Sequence, residues 1–250
     1  MVPNICHFIA GMSPDEEFKF VYYVAAVSAI KINKPKRVNY FYSFEPHGRW
    51  WEELKKIKEV ELHQVPLPTH FGEKKIIHPQ HRADNLRMEI LKEYGGVYLD
   101  FDTICVKPYA RMLKYKFAMG VESEGALCNA VIFSEPKAEF LDLWSEPYAE
   151  TFKPDGWGEA GVELPFEVAK QNPSKITLLR PELFYRPMWN ETHKIFSDLC
   201  SVVPKDLYIL HFWNKYSKDY TDDIKGFDWA KKNQHTLYGK LLLKFCQFSL

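Results

Sequence analysis

Residues 82–102, R-A-D-N-L-R-M-E-I-L-K-E-Y-G-G-V-Y-L-D-F-D, carry a helix pattern, a double glycine and an apolar run ending in two carboxylates. From His81 to Tyr94, the residues Ala83, Leu86, Ile90, Leu91 and Tyr94 recur at helical spacing and predict one buried stripe. Gly95 stands where a left-handed residue ends such a helix. Val97-Tyr98-Leu99 then reads as a buried strand that delivers Asp100 and Asp102, two residues apart, to one side of the chain. Asp84 and Arg87 are three residues apart on a shared helix face, so they and the acidic pair can converge from two elements. Hard divalent cations want oxygen ligands, and Mg²⁺ is typically held by one or two carboxylates plus substrate phosphates. The chemistry indicated is metal-assisted handling of a phosphate ester or diphosphate.

Outward from this stretch, strand and helix signals alternate through the first half. Residues 5–9, 37–43 and 60–65 read as strands and 49–58 as a helix. Ser13 fits an N-cap, Pro14 a first helical position and Glu16 a capping-box partner, predicting a helix that opens there. Such alternation implies an α/β fold with a mostly parallel central sheet flanked by helices, and the acidic pair falls at a strand's carboxyl end, where ligands of open sheets bind. After Pro108 the pattern loosens. Strands are expected over 116–121, 130–134 and 207–211, and helices over 137–151, 162–170 and 229–248, with irregular structure over 172–204. We read residues 1–250 as a single domain.

Charge and cysteine usage narrow the field. The 33 basic and 33 acidic residues cancel, leaving no footprint for nucleic acid. Cys6, Cys105, Cys128, Cys200 and Cys246 are odd in number and include no C-x-x-C pair, which argues against a disulfide framework or a zinc site. The start has no basic segment followed by an apolar one, and no run is long enough to span a bilayer, so a cytoplasmic location is expected. Leu241, Leu242, Leu243 and Phe245 with Lys240 and Lys244 read either as a docked helix or as a peripheral membrane contact. Aromatic residues make up 16% of the chain, and late ones such as Trp144, Trp157 and Trp189 either fill the core or offer sugars a flat apolar surface.

The stretch 82–102 resembles the sugar-nucleotide-binding segment of the DXD glycosyltransferases, especially glycosyltransferase family 32 and the related glucosylating clostridial toxins. Two weaker matches flank it: Ile5-Cys6-His7-Phe8-Ile9 is similar to the family's opening I-x-H-x-I strand, and His211-Phe212-Trp213 to its H-x-W segment. The resemblance implies a GT-A-like fold, with residues 1–108 as the donor half and 109–250 as the acceptor half. It implies a metal-dependent transferase that moves a sugar from a UDP- or GDP-sugar to a glycan or lipid-linked acceptor, with retention of configuration as the family's usual outcome. Mn²⁺ or Mg²⁺ would be the cofactor, with Asp102 as direct ligand and Asp100 either touching the metal through water or holding the ribose. His211, at the end of an apolar run, would complete the shell, and its imidazole suits Mn²⁺ better than Mg²⁺.

On the same resemblance, Arg87 would bind donor phosphate or sugar hydroxyls and Asp84 would accept from the transferred sugar; the plain alternative is a helix salt bridge between the two. His7, Phe8, Ile9, Arg82 and Asn129 are the remaining expected donor contacts, while Tyr98 either stacks near the nucleotide or packs the sheet. Glu159, Glu163 and Trp213 are the acceptor-side candidates, and either glutamate could equally be a surface carboxylate at a helix start. Two other readings compete. A Mg²⁺-dependent haloacid dehalogenase-like phosphohydrolase would use Asp100-Phe101-Asp102-Thr103-Ile104 as nucleophile motif and Asp222-Asp223 as late acidic motif, and a non-catalytic carbohydrate-binding protein would use only the aromatic surface.

Overall fold

The computed structural model describes residues 1–245. Strand β1 (Cys6–Ala10) leads through a loop to helix α1 (Phe20–Asn33), then β2 (Val38–Tyr42), α2 (Arg49–Lys55) and β3 (Val60–Gln64). A small hairpin, β4 (His70–Phe71) and β5 (Lys74–Lys75), precedes α3 (Pro79–Tyr94), β6 (Gly96–Leu99) and β7 (Thr103–Cys105). The second half adds β8 (Phe117–Ser123), β9 (Ala126–Ser134), α4 (Glu139–Ser145), α5 (Tyr148–Thr151), α6 (Leu164–Gln171) and β10 (Thr177–Leu179). It ends with α7 (His193–Phe196), β11 (Ile209–His211), α8 (Asn214–Thr221), α9 (Phe227–Lys232) and α10 (Leu237–Leu243).

Seven strands form one sheet in the order β10-β8-β9-β6-β1-β2-β3. The pairs β1/β2, β1/β6, β2/β3 and β8/β10 are parallel, and only β9 runs against its neighbours β6 and β8. Successive β1 residues serve opposite faces, as strand geometry requires: Cys6, Phe8 and Ala10 enter one hydrophobic cluster and Ile9 the other. The first cluster contains α1, whose residues from Phe20 to Ala29 are all buried, so this helix is apolar all round. The second packs α3, α4 and α5 under the other face. β7 and β11 make a separate antiparallel pair in which His211 lies opposite Thr103.

Several boundaries differ from the sequence reading: residues 172–204, read as irregular, carry β10 and α7, the strand read at 130–134 begins at Ala126, the 49–58 helix ends at Lys55, and four further differences have a local reason. No helix opens at Ser13; Asp15 has φ 57, α1 starts at Phe20, and Glu16 turns back to accept from the Gly11 amide at 3.0 Å instead of closing a capping box. The 137–151 helix is two, α4 and α5, parted at Pro147, which has no N–H to continue the ladder. The 162–170 helix is preceded by a π-turn over Glu159–Glu163. The 229–248 helix is also two, because Thr236 caps α10 by accepting from the Gly239 amide at 3.0 Å; Cys246 and the stretch to Phe248 lie outside the described residues. Leu241 and Leu242 are fully buried, so that apolar run belongs to the core. Among the described residues no helix is long and apolar enough to cross a membrane.

His7 holds the centre together. Its Nε2 lies 2.7 Å from the Gly95 carbonyl and its Nδ1 3.2 Å from the Asn39 amide nitrogen, so the first donates and the second accepts. A Cβ on Gly96, whose φ is 103, would stand 2.7 Å from that Nε2, which is why the turn after α3 needs glycine. Burial drives the His7 pKa down to about 4. Between that value and the ordinary value near 6.5 the unfolded chain binds a proton that the folded one refuses. Stability is therefore intact above about pH 6.5 and falls by roughly 3 kcal/mol as the pH drops to 4. Urea titrations across this window should show that loss in the parent and a shallower one in His7→Gln; equal slopes would refute the assignment.

Candidate active site

The D-x-D turn is fixed from both ends. The Asp100 amide donates to the Ala130 carbonyl at 2.8 Å, and Thr103 Oγ1 donates to the Asp100 carbonyl at 2.7 Å. Beyond it, the β7/β11 pairing brings in a segment more than a hundred positions away in sequence. The Phe212 amide donates to the Asp102 carbonyl at 2.9 Å and the Asn214 amide to Asp102 Oδ2 at 2.6 Å. His211 Nε2 sits 3.2 Å from the same Oδ2. One ligand atom each from Asp100, Asp102 and His211 falls within 4.8 Å of the others.

This set fits a divalent cation. It offers carboxylate oxygen twice and imidazole nitrogen once, a donor set suited to Mn²⁺ or Mg²⁺ and lacking any thiolate. Burial raises the Asp100 pKa, with Arg87 opposing it. At Asp102 burial acts the same way but is outweighed by His211 and by the Asn214 amide, which hold the carboxyl below its usual range. Burial pushes His211 toward neutrality, yet the Asp102 carboxylate keeps its pKa well above the usual imidazole value.

Beside this triad lies a buried ionic cluster around Arg87. Its guanidinium is 3.4 Å from Asp84 Oδ1 and 3.3 Å from Asp100 Oδ1, and it donates to the Asn129 carbonyl at 2.7 Å and the Ala83 carbonyl at 3.3 Å. The Tyr98 ring lies 4.5 Å from it, and the Tyr98 hydroxyl donates to Asp100 Oδ1 at 2.5 Å. Tyr98 is thus packed into the sheet and engaged with Asp100. Asp84 in turn accepts from the Asn129 amide at 2.9 Å and from the Tyr148 hydroxyl at 3.1 Å.

The structure brings Asp84, Arg87, Tyr98, Asp100, Asp102, Asn129 and His211 into one neighbourhood. It places others elsewhere. Phe8 and Ile9 are buried in the packing on the two faces of the sheet, and both His7 nitrogens are occupied as described. Arg82 donates to the Met12 carbonyl at 2.5 Å, holding the loop after β1. Trp213 is buried, lies 4.1 Å from the His211 ring, and donates to the Pro187 carbonyl at 3.0 Å. Glu159 accepts from the Trp157 amide at 2.9 Å and lies 3.5 Å from Lys153, while Glu163 is exposed.

Sequence reasoning missed four members. Tyr148 and Asn214 reach Asp84 and Asp102 from distant elements, and Tyr185 donates to the Cys128 carbonyl at 3.0 Å beside His211. Gly161 backs onto the cluster, since a Cβ there would stand 2.9 Å from the Asn129 amide and 3.3 Å from Asp84. The one available signal was the G-W-G-E-A-G run itself, where a close backbone approach needs glycine.

The mostly parallel sheet, with Asp100 half-buried and Asp102 buried beyond the end of β6, is an α/β fold that presents an acidic pair at a strand's carboxyl end. The model of the glycosyltransferase sugar-binding region containing a DXD motif matches residues 7–118, and that of the alpha 1,4-glycosyltransferase conserved region matches residues 133–250. The chain belongs to the DXD-containing glycosyltransferases. It is 30% identical over 246 residues to glucan organizing enzyme 1 of Cryptococcus neoformans, covering 90% of this chain and 66% of that protein. It is 31% identical over 203 residues to lactosylceramide 4-alpha-galactosyltransferase of Mus musculus, covering 74% of this chain and 50% of that protein. The chain thus spans about half to two thirds of these relatives' length. Galactosyltransferase LgtC, solved with donor and acceptor sugar analogs, superposes with a TM-score of 0.53 at 11% identity, covering 98% of this chain and 97% of that one. Apo glycosyltransferase GlyE of Streptococcus pneumoniae does so with a TM-score of 0.53 at 12% identity, covering 97% of this chain and 63% of that one. The fold is the GT-A fold expected from the sequence.

Removing the Arg87 cation would leave the Asp84 and Asp100 carboxylates facing each other without a counter-charge. Arg87→Met should cost about 3–5 kcal/mol of unfolding free energy by chemical denaturation; a loss under about 1 kcal/mol would mean the cluster is solvated.

Proposed function

We propose that this chain transfers a hexosyl group from a UDP- or GDP-sugar to a hydroxyl of a glycan or lipid-linked glycan, using Mn²⁺ or Mg²⁺. The observation that carries the reading is the convergence of Asp100, Asp102 and His211 beside the buried Asp84–Arg87–Asn129 cluster. Relatives whose names specify α-galactosyl and α-N-acetylglucosaminyl transfer support an α-linked product. From an α-linked donor, that outcome is retention of configuration. We take the two halves, 1–108 and 109–250, as the donor and acceptor sides of one unit.

Asp102 and His211 would hold the cation, and Asp100, oriented by the Tyr98 hydroxyl, would join them or reach the ribose. A divalent ion bound there supplies positive charge where the departing diphosphate gathers negative charge. Asp84, oriented by Asn129 and Tyr148, presents its remaining acceptor capacity to the hydroxyls of the transferred sugar. Arg87 is assigned a positioning role: Asp84, Asp100 and two carbonyls already occupy its guanidinium. The acceptor proton passes to the leaving phosphate oxygen, so no protein nucleophile is required. A phosphohydrolase reading fits less well, because the would-be nucleophile Asp100 is engaged with Tyr98 and Arg87, and Asp222 is ion-paired with Lys19.

Asp102→Ala should cut Mn²⁺-dependent donor turnover by at least about 100-fold while keeping the parent's circular dichroism spectrum. EDTA should do the same to the parent, reversibly on adding Mn²⁺. The assay is nucleotide diphosphate release across a panel of UDP-, GDP- and CMP-sugars, and undiminished turnover in Asp102→Ala would sink the assignment.

A further inference from the structure

A second concave site lies outside the D-x-D neighbourhood. It is a cavity of about 530 Å³ between the start of α2 and the α8–α9 connection. That size falls within the range of roughly 300–1,000 Å³ found for small-ligand pockets. Trp50, Phe227 and Trp229 line it, and all three are partly exposed. Their rings are anchored from behind. Trp50 and Phe227 both pack on the buried Phe20 ring, with centroids at 4.7 and 5.0 Å, and Trp229 packs near Tyr238 at 6.2 Å. Arg49, whose guanidinium lies 4.8 Å from the Trp50 ring, and Asp223 provide planar charged groups at the rim. Neither of these two forms an ion pair among the described residues.

We propose that this cavity is an accessory saccharide-binding site, taking a pyranose unit of a glycan away from the point of transfer. A pyranose has an apolar C–H face bordered by hydroxyls. Ring faces already fixed by core packing can receive the first at little ordering cost. A guanidinium and a carboxylate can each bind two neighbouring hydroxyls. Lys225, Asp228 and Lys232 complete the lining, so three cations and two carboxylates give the hydroxyls of a sugar both donors and acceptors. The assignment to a sugar rests on the proposal that the chain handles glycans, but the cavity shares no lining residue with the metal triad or the Arg87 cluster.

Gly226 supplies the test. Its φ of 177° is extended backbone open to any residue, it lines the cavity, and nothing lies within 4 Å of a Cβ placed there, so Gly226→Trp adds bulk at the cavity without displacing the core. Binding of lactose, maltohexaose and laminarihexaose would be measured by ligand-observed NMR in EDTA without nucleotide, which silences the donor site. At least one saccharide is expected to bind the parent and Asp102→Ala equally, and to bind Gly226→Trp and Arg49→Ala about tenfold or more weakly, a loss of about 1.4 kcal/mol. Donor turnover by Gly226→Trp should match the parent. If none of the three binds the parent, if Gly226→Trp binds as well as the parent, or if only inorganic phosphate binds, the proposal is overturned. Failure of the transfer reading is registered separately, by Asp102→Ala in the turnover assay.

Discussion

A guanidinium withdrawn from water is the constraint around which the donor side is built. Arg87 is 4% exposed, and an unpaired charge at such burial would cost several kcal/mol. The fold meets that cost with two carboxylates, two carbonyls and an aromatic ring. These partners come from α3, β6, the turn after it and β9, so satisfying one side chain fixes the relation of four segments. The geometry of Asp84 and Asp100 is set before any ligand arrives, which is what electrostatic stabilisation of a developing charge requires.

Asp102 depends on a different anchor. Its side chain and carbonyl are held by His211, Phe212 and Asn214, delivered by the short β7/β11 pair. Trp213, at φ 57, makes the bend that lets both the residue before it and the residue after it reach Asp102. The two acidic residues of one tripeptide thus belong to two separate support systems. A change on the β11 side can move Asp102 and leave Asp100 in place.

What the sequence disclosed follows the range of the interactions. The α3–glycine–β6 passage is local, because periodicity, the glycine pair and the apolar run all lie within about twenty residues and agree with one another. His211 was legible because it ends an apolar run beside a tryptophan, although nothing local says that β11 pairs with β7. Tyr148 and Asn214 carry no local mark, and Gly161 only its glycine-rich run, since their roles arise from contacts formed when distant segments pack. The false helix start at Ser13 shows the opposite failure: a sound local signal lost to tertiary demand, because Glu16 was needed by the Gly11 amide. His7, similar to a family motif residue, proves to be a bolt between β1 and the glycine turn.

The inner site has little freedom left to choose a substrate. Asp84, Arg87, Tyr98, Asp100 and Asn129 are committed to one another, so replacing any one disturbs the rest before it alters selectivity. Freedom to change lies instead with exposed aromatic groups nearby, where Trp157, Trp189 and Tyr216 are 47%, 39% and 46% exposed. Trp157 precedes the π-turn that backs Asp84, and Lys215 follows the Asn214 that holds Asp102; Lys215 Nζ lies 3.5 Å from the centre of the Trp157 ring. That one cation–π contact joins the two supports of the site across its edge, on side chains exposed enough to change partners. A rigid, mutually committed interior and an exposed aromatic edge thus divide the site into a part that cannot shift without disturbing its partners and a part that can.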